Sequence, residues 1–313
     1  MLRFLLTVGA VISAISPGAV GPATAPQAAP PATEVLLAPL SRSAGKLIVG
    51  EPRNISTSPG YDNQPFFTPD GRSVLFTSAR GPLVSKCGSP QTDIYRYGIA
   101  EGRLTQVTGT ADCEYSPTAM PDGTGFSVIQ VEPDGTQRLW RFGTDGKNPA
   151  VVLENVKPVG YHAWLDDRRL VLFVLGQPAT LQLADVSTGT AEVVASNVGQ
   201  SIVRMPGGGV SFVQQEGENS DRTLTITQVT IENGKPVLKP LTAAVPGARQ
   251  AHLAWAPDGT LLMAHDGSLH AWRAGQSGWQ VVADLNALGL RNVTRIAVSP
   301  KGDWIALVAQ QDK

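Results

Sequence analysis

Short apolar segments alternate with polar turns along almost the whole chain, and one kind of turn recurs. The first copy lies in the segment 64–76, where an apolar run precedes Pro69-Asp70-Gly71 and a second apolar run follows. Proline sets φ at the start of such a turn, aspartate bonds the backbone two residues on, and glycine takes the positive φ. Each copy therefore predicts two antiparallel strands that are joined by a tight turn.

Related turns follow at intervals of 40 to 52 residues. The six turns lie at 69–71, 121–123, 166–167, 206–208, 257–259 and 300–302. Two further β-type runs separate each turn from the next, such as 92–97 and 103–107 in the first repeat. A period of this length that contains strands rather than helices is typical of propeller blades. The pattern predicts an all-β fold, a six-bladed β-propeller of four-stranded blades.

The last blade is incomplete when it is followed along the chain alone. The sixth turn is followed by a single strand, 304–309, and then the chain ends. The N-terminal runs 34–40 and 46–49 are two strands with no preceding pair. We expect these N-terminal strands to close the last blade as its third and fourth strands, because this pairing removes two open sheet edges.

The N-terminus has the pattern of an export signal. Arg3 precedes the apolar run 4–15, and small residues follow that run. The run is short for a membrane span, although an uncleaved N-terminal anchor is the alternative. We expect a signal peptide over 1–25, an Ala/Pro-rich leader over 26–33 and the propeller over 34–313. The protein is then periplasmic or secreted, with no membrane span after signal removal.

The charge balance argues against a nucleic-acid partner. The chain has 25 basic and 26 acidic residues and a net charge of −1, so no broad basic surface is implied. Its 33 glycines and 24 prolines cluster at turns, which agrees with many short strands. We expect a neutral, monomeric scaffold.

The two cysteines fall in links that share one face of the predicted propeller. Cys87 lies between the second and third strands of blade one, and Cys113 lies in the connection to blade two. Export to an oxidising compartment favours a disulfide between them, with free structural thiols as the alternative. A metal site is not expected, because no histidine lies beside either cysteine.

The first strand of each blade lines the central channel of a propeller, and one residue of each strand lies five positions before the turn. These six residues, called the channel ring below, are Gln64, Ser116, Tyr161, Ser201, His252 and Arg295. Such a ring suits a small ligand or a peptide, and His252 with Arg295 is the first pair to test. The alternative is that the ring only caps strand ends and holds water. Asp62 and Glu114 are further polar candidates nearby.

Aromatic and proline residues around the turns carry a family resemblance. The segments 65–71 (Pro-Phe-Phe-Thr-Pro-Asp-Gly) and 255–259 (Trp-Ala-Pro-Asp-Gly) resemble the WD40-like PD40 repeats of TolB-like propellers, over roughly 34–310. The resemblance implies the fold, and many unrelated activities share that fold. TolB proteins carry an α/β domain ahead of the propeller and bind Pal and other envelope proteins. The sequence leaves no room for that domain between residue 33 and the first strand, so we expect a TolB-like protein and not TolB itself.

Two functions remain open from the sequence. Calcium-dependent propeller hydrolases need several oxygen ligands in the channel, and the channel ring contains no Asp or Glu. The Gly-x-Ser-x-Gly elbow of propeller-bearing serine peptidases is absent as well. We therefore expect an exported, non-catalytic scaffold that binds an envelope protein or peptide, with no cofactor. The alternative is a propeller hydrolase with a small-molecule substrate in the central channel.

Two links on the face of the cysteines are longer than the others. They lie at 81–91 and 214–222. Variable loops on a rigid scaffold are where specificity usually resides. We expect these links to contribute to the contact surface.

Overall fold

The computed structural model describes residues 31–82, 84–87, 90–217 and 221–310. Their regular structure consists of 25 strands in six antiparallel sheets, one sheet for each blade, as predicted. No helix in this part of the chain is long and apolar enough to cross a membrane. The predicted signal peptide and residues 26–30 of the predicted leader lie outside the described residues.

Blades one to five each use four consecutive strands, with the first strand innermost. Blade one contains β4 (Asp62–Phe67), β5 (Ser73–Ser78), β6 (Asp93–Gly98) and β7 (Arg103–Gln106), and blade two contains β8 (Cys113–Ala119), β9 (Gly125–Val131), β10 (Gln137–Gly143) and β11 (Ala150–Val151). Blade three contains β12 (Val159–Trp164), β13 (Arg169–Val174), β14 (Thr180–Asp185) and β15 (Thr190–Ser196), and blade four contains β16 (Val198–Arg204), β17 (Val210–Glu216), β18 (Thr223–Glu232) and β19 (Lys235–Ala243). Blade five contains β20 (Leu253–Trp255), β21 (Leu261–His265), β22 (Ser268–Trp272) and β23 (Gln280–Asp284).

Blade six joins the two ends of the described chain, which confirms the predicted closure. Its first two strands are β24 (Arg291–Val298) and β25 (Trp304–Gln310), and its third is the N-terminal β1 (Thr33–Ser43). The β1–β25 register runs from Thr33 opposite Gln310 to Pro39 opposite Trp304. Two short strands, β2 (Lys46–Val49) and β3 (Arg53–Asn54), then pair with different halves of β1.

The apolar sequence of β1 follows from its position between two neighbouring blades. Val35 and Leu37 pack with Phe76 of blade one, whereas Ala38 and Leu40 pack with residues of blade five. Successive side chains of a strand point to opposite faces, so a strand with a blade on each side needs apolar residues at nearly every position. This is why β1 does not show the simple alternation of a sheet with one wet face.

The aromatic residues two positions before the turns join adjacent blades. Phe67 is buried in the cluster between blades six and one. The indole N–H of Trp164 donates to the hydroxyl of Ser127 in the preceding blade at 2.9 Å, and Trp255 donates to Ser211 of its preceding blade at 2.8 Å. The core between adjacent blades therefore also contains a repeated hydrogen bond.

Bulges in the inner strands change the direction of two channel-ring residues. The pairing of β4 with β5 and of β8 with β9 shifts register next to Gln64 and Ser116. Both residues adopt positive φ, 58° and 55° respectively. A left-handed conformation is unfavourable for residues other than glycine, so local contacts must compensate for it. Bulges of this kind re-aim side chains.

The two long links expected to contribute to a contact surface differ from the sequence interpretation in one respect. β17 continues to Glu216, so the second link covers 217–222 rather than 214–222. Residues 83, 88, 89 and 218–220 of the two links lie outside the described part of the chain. A binding role for these links remains a prediction.

The closure predicts that two neighbouring leucines of β1 contribute differently to the free energy of unfolding. Leu37 is fully buried between blades, whereas Leu36 is only half-buried. We expect Leu37→Ala to lower the free energy of unfolding by about 2–5 kcal/mol, because it leaves a cavity at the closing strand. Leu36→Ala is the matched control and should cost less. Urea denaturation followed by tryptophan fluorescence measures both losses, and equal losses would contradict this account of the closure.

Candidate ligand-binding cavity

All six residues of the channel ring line one cavity of about 770 Å³ on the propeller axis. The cavity is bounded by the first strands of the blades, and Pro69, Pro121, Pro206, Pro257 and Pro300 of the turns form its rim. Its volume falls in the usual range of small-molecule and peptide pockets. Each ring residue lies five positions before its turn, so the ring lies deeper in the channel than the rim. Ligand binding by the ring itself is a prediction.

Arg295 crosses the channel axis from blade six to blade three. Its Nη2 donates to the hydroxyl of Tyr161 at 2.7 Å, and its guanidinium carbon lies 4.9 Å from the centroid of the same ring. These two blades face each other across a ring of six. The contact therefore spans the inner end of the cavity, and it combines a hydrogen bond with a cation–π interaction.

Two further tyrosines lie at the same end of the channel. The rings of Tyr61 and Tyr115 meet edge to face with centroids 6.5 Å apart. Burial raises the pKa of Tyr61, and the nearby Arg295 charge partly opposes that rise. We call Tyr61, Tyr115, Tyr161 and Arg295 the inner plug. It places one cation among three neutral aromatic side chains.

Gln64 and Ser201 connect neighbouring blades. The side-chain carbonyl of Gln64 accepts bonds from the Ser116 backbone N–H at 2.9 Å and from the Thr77 hydroxyl at 2.8 Å. The Ser201 hydroxyl accepts from the Leu253 backbone N–H at 3.0 Å. Sequence spacing placed both residues at the channel, but only the bulged backbone shows that these oxygens are committed to the next blade.

His252 and Ser116 have polar atoms that no described protein group satisfies. His252 Nδ1 and Ser116 Oγ are both buried and have no protein hydrogen-bond partner among the described residues. Burial, assisted by the Arg295 charge, lowers the pKa of His252 to about 3, so this imidazole is neutral at physiological pH. Buried polar atoms normally find a partner, and these two line the cavity beside the inner plug.

His162 is a cavity residue that the sequence analysis did not single out. Its Nε2 lies 2.6 Å from the Ser127 hydroxyl, which also accepts from Trp164. Burial lowers its pKa to about 3. Its position four residues before the turn, on an inner strand, was the available signal. Its bond to Ser127 gives it a role in joining blades.

The cavity is electropositive in its described lining. Arg295 lies deep and Arg204 lies exposed near the rim, and the lining contains no Asp or Glu. Asp62 and Glu114, the further polar candidates, are buried but do not line the cavity. In the described ranges, no three His, Cys, Asp or Glu side chains are grouped so as to hold a metal ion.

The comparisons with known proteins identify the fold. No family model matches the sequence. One segment is 50% identical over 50 residues to the Tol-Pal system protein TolB of Bordetella pertussis, which covers 16% of this chain and 10% of that protein. The structure resembles a putative TolB from Agrobacterium tumefaciens with a TM-score of 0.65 and 15% identity, over 90% of this chain and 99% of that one. It also resembles a gluconolactonase from Xanthomonas campestris with a TM-score of 0.58 and 8% identity, over 91% and 99% of the two chains.

The chain has a TolB-like six-bladed propeller fold. It is TolB-like and not TolB itself, because the sequence match spans about a tenth of the length of the curated relative. At these identities, the structural likeness shows the fold and assigns neither relative's activity to this chain.

The TolB-like propeller carries a disulfide on the face opposite the rim of proline turns. Cys87 and Cys113 are bonded, with their Cα atoms 6.1 Å apart, as predicted. The bond connects the link after β5 to the start of β8, and so it ties blade one to blade two. It closes a loop with a sequence separation of 26 residues.

A buried carboxyl pair lies next to this disulfide. Glu114 accepts a hydrogen bond from the Thr108 hydroxyl at 3.1 Å and a second one from Thr110. Burial raises the pKa of the Glu114 carboxyl above its usual value near 4.5, and the neighbouring Asp93 charge raises it further. Two adjacent buried carboxyls cannot both be ionised at low cost, so the folded state retains a proton here.

We expect the disulfide to contribute substantially to stability. In the chain-entropy model, a loop of this length stabilises the fold by about 3–4 kcal/mol. In the double variant Cys87→Ser/Cys113→Ser, the free energy of unfolding should be lower by this amount, and the urea midpoint should fall accordingly. Dithiothreitol should shift the wild-type curve towards that of the variant and leave the variant unchanged. An unchanged midpoint in the variant would refute a stabilising role.

The raised pKa of Glu114 predicts how the stability of the fold depends on pH. A raised folded pKa means that the folded state holds a proton which the unfolded state releases, so wild-type stability falls as pH rises above about 4.5. Glu114→Gln replaces the titrating carboxyl by a neutral amide, so this loss of stability should disappear. The variant should be more stable than wild type at pH 8 and nearly equal to it at pH 4. Urea midpoints across this range give the comparison. Exposed Glu154→Gln is the control, and parallel profiles for Glu114→Gln and wild type would contradict the assignment.

Proposed function

We propose that this chain is an exported, non-catalytic propeller that binds a protein or peptide of the cell envelope at the mouth of its central cavity. The observation that carries the proposal is the cavity itself. It opens at a rim of proline turns, its walls are mainly apolar strand residues, and its described lining has no carboxylate. A pocket of this kind offers shape and apolar area to a partner.

The chemistry of the cavity supports binding over hydrolysis. A calcium-assisted reaction needs hard oxygen ligands such as carboxylates, and acid–base hydrolysis commonly uses a pair of them. The described residues of the cavity lining include no carboxylate. His162 is bonded to Ser127, and burial lowers the pKa of both cavity histidines to about 3, far below the value that suits a general base at neutral pH.

Three observations support export and an envelope partner. The N-terminal 25 residues have the pattern of a signal peptide, and the disulfide suits an oxidising compartment. The segment that matches a curated protein matches a component of a Tol-Pal system. The apolar rim then provides a contact surface for a partner in that compartment.

The proposal is tested by site-specific photo-crosslinking in the native host. Met120 and Met205 line the cavity near its rim, and Val193 is exposed on the outer strand β15 of blade three. We expect benzoylphenylalanine at either methionine to crosslink one defined envelope protein, and the same group at Val193 not to do so. The crosslinked protein is then purified and its affinity measured.

A charge at the rim provides the quantitative arm of this test. Met205→Lys should weaken the affinity of that partner at least about tenfold, since it places a charge in an apolar contact. Val193→Lys should leave the affinity unchanged. Crosslinks from Val193 alone, or hydrolysis of an ester or lactone that His252→Ala abolishes, would overturn the proposal.

A further inference from the structure

We infer that the central cavity recognises its protein or peptide partner through a carboxylate group, which Arg295 binds at the inner end. This inference rests on the proposed function, since it assigns the chemical group that the cavity receives. The starting observation is that Arg295 has no counter-ion among the residues that the structure describes. None of the ion pairs in that part of the chain includes it, and its guanidinium donates to the Tyr161 hydroxyl.

An unpaired guanidinium at this depth has donors to spare. Arginine carries five N–H donors, and the contact with Tyr161 uses one of them. A charge removed from bulk water is costly unless it is paired and hydrogen-bonded. A carboxylate supplies both the opposite charge and the geometry for two parallel N–H···O bonds.

Tyr161 holds the guanidinium in place on the axis. The hydroxyl fixes one Nη, and the ring lies within cation–π distance of the guanidinium carbon. Because the two residues come from opposite blades, the cation stays at the channel centre and does not fold back onto its own strand. A pre-oriented donor loses less conformational entropy on binding a ligand.

Two neutral groups of the cavity lining have unused hydrogen-bonding capacity, and one of them, His252, lies near Arg295. Ser116 Oγ is a buried hydroxyl that lines the cavity and has no described protein partner, and His252 Nδ1 is in the same situation. The Arg295 charge contributes to the lowered pKa of His252, which places this imidazole close to the guanidinium. A bound carboxylate could accept from the hydroxyl and from the protonated nitrogen of the neutral ring.

The rest of the lining selects the kind of anion. The described walls carry apolar residues such as Phe66, Ile202 and Ile296, and they carry no Asp or Glu. Arg204 adds a second positive charge near the rim, which attracts anions and disfavours cations. One deep guanidinium in a lining whose other free hydrogen-bonding groups are neutral matches the single charge of a carboxylate on an apolar group. A phosphate dianion would leave a negative charge uncompensated.

The carboxylate has two possible sources in a peptide, namely the C-terminus or an acidic side chain. We would titrate the wild-type protein with acetyl-Leu-Phe as the free acid and as the amide, and with acetyl-Leu-Glu-amide and acetyl-Leu-Gln-amide, by calorimetry at low salt. The acid of at least one pair should bind about tenfold or more tightly than its neutral partner, as expected for a charge-assisted bond. The pair that shows the difference identifies the source.

Variants then assign the effect to this site. Arg295→Gln should abolish the preference for the acid over its neutral partner, and Ser116→Ala should lower the affinity for the acid severalfold. Arg291→Gln is the matched control, because Arg291 is exposed on the same strand and does not line the cavity. The comparison of acid with amide uses wild-type protein alone, so it remains decisive even where a variant fails to fold.

The outcomes separate this inference from the proposed function. Equal affinity of acids and amides, no binding of the acids at millimolar concentration, or tighter binding of inorganic phosphate would overturn the carboxylate assignment. Each of those results leaves the proposed function intact if a partner still crosslinks from Met120 or Met205. The absence of any partner at the rim would instead remove the proposed function and the inference together.

Discussion

The antiparallel pairing of β1 with β25 is the constraint on which the rest of the structure depends. Without it, blade six has two strands and the ring has open edges that invite pairing with other chains. With it, Val35 and Leu37 pack in the interface with blade one, and Ala38 and Leu40 pack in the interface with blade five. The central cavity and the opposition of blades three and six are both consequences of this closure.

The buried charged groups of the molecule lie in two separate regions. The buried carboxyls of Asp62 and Glu114 lie outside the cavity lining, where hydroxyl groups bond to Glu114 and Arg80 lies near Asp62. Burial raises the pKa of both carboxyls. The cavity instead contains Arg295 without a neighbouring carboxylate. A single scaffold thus separates a buried acidic region from an electropositive cavity on the axis.

The inner plug shows how a propeller can hold a cation at its centre. A guanidinium on one strand would normally turn towards solvent, because its stem is flexible. Here a tyrosine on the opposite blade supplies both a hydrogen-bond acceptor and an aromatic face. The rings of Tyr61 and Tyr115 meet edge to face at the same end of the channel. The geometry therefore depends on two residues 134 positions apart in the chain.

The sequence by itself determined the number of blades and the joining of the two ends, and it favoured the disulfide that Cys87 and Cys113 form. The number of blades follows from local rules, because turn chemistry and period-two patterns are encoded within a few tens of residues. The joining follows from counting strands, since the last repeat lacks two strands and the N-terminal segment supplies them. It also located the six residues of the channel ring, since their spacing from each turn is constant. The tertiary structure alone decided what each of them does. Gln64 and Ser201 bond to the next blade, whereas Arg295 reaches across the axis to Tyr161. Side-chain direction depends on bulges and on partners from distant blades, and no local pattern in one strand records those.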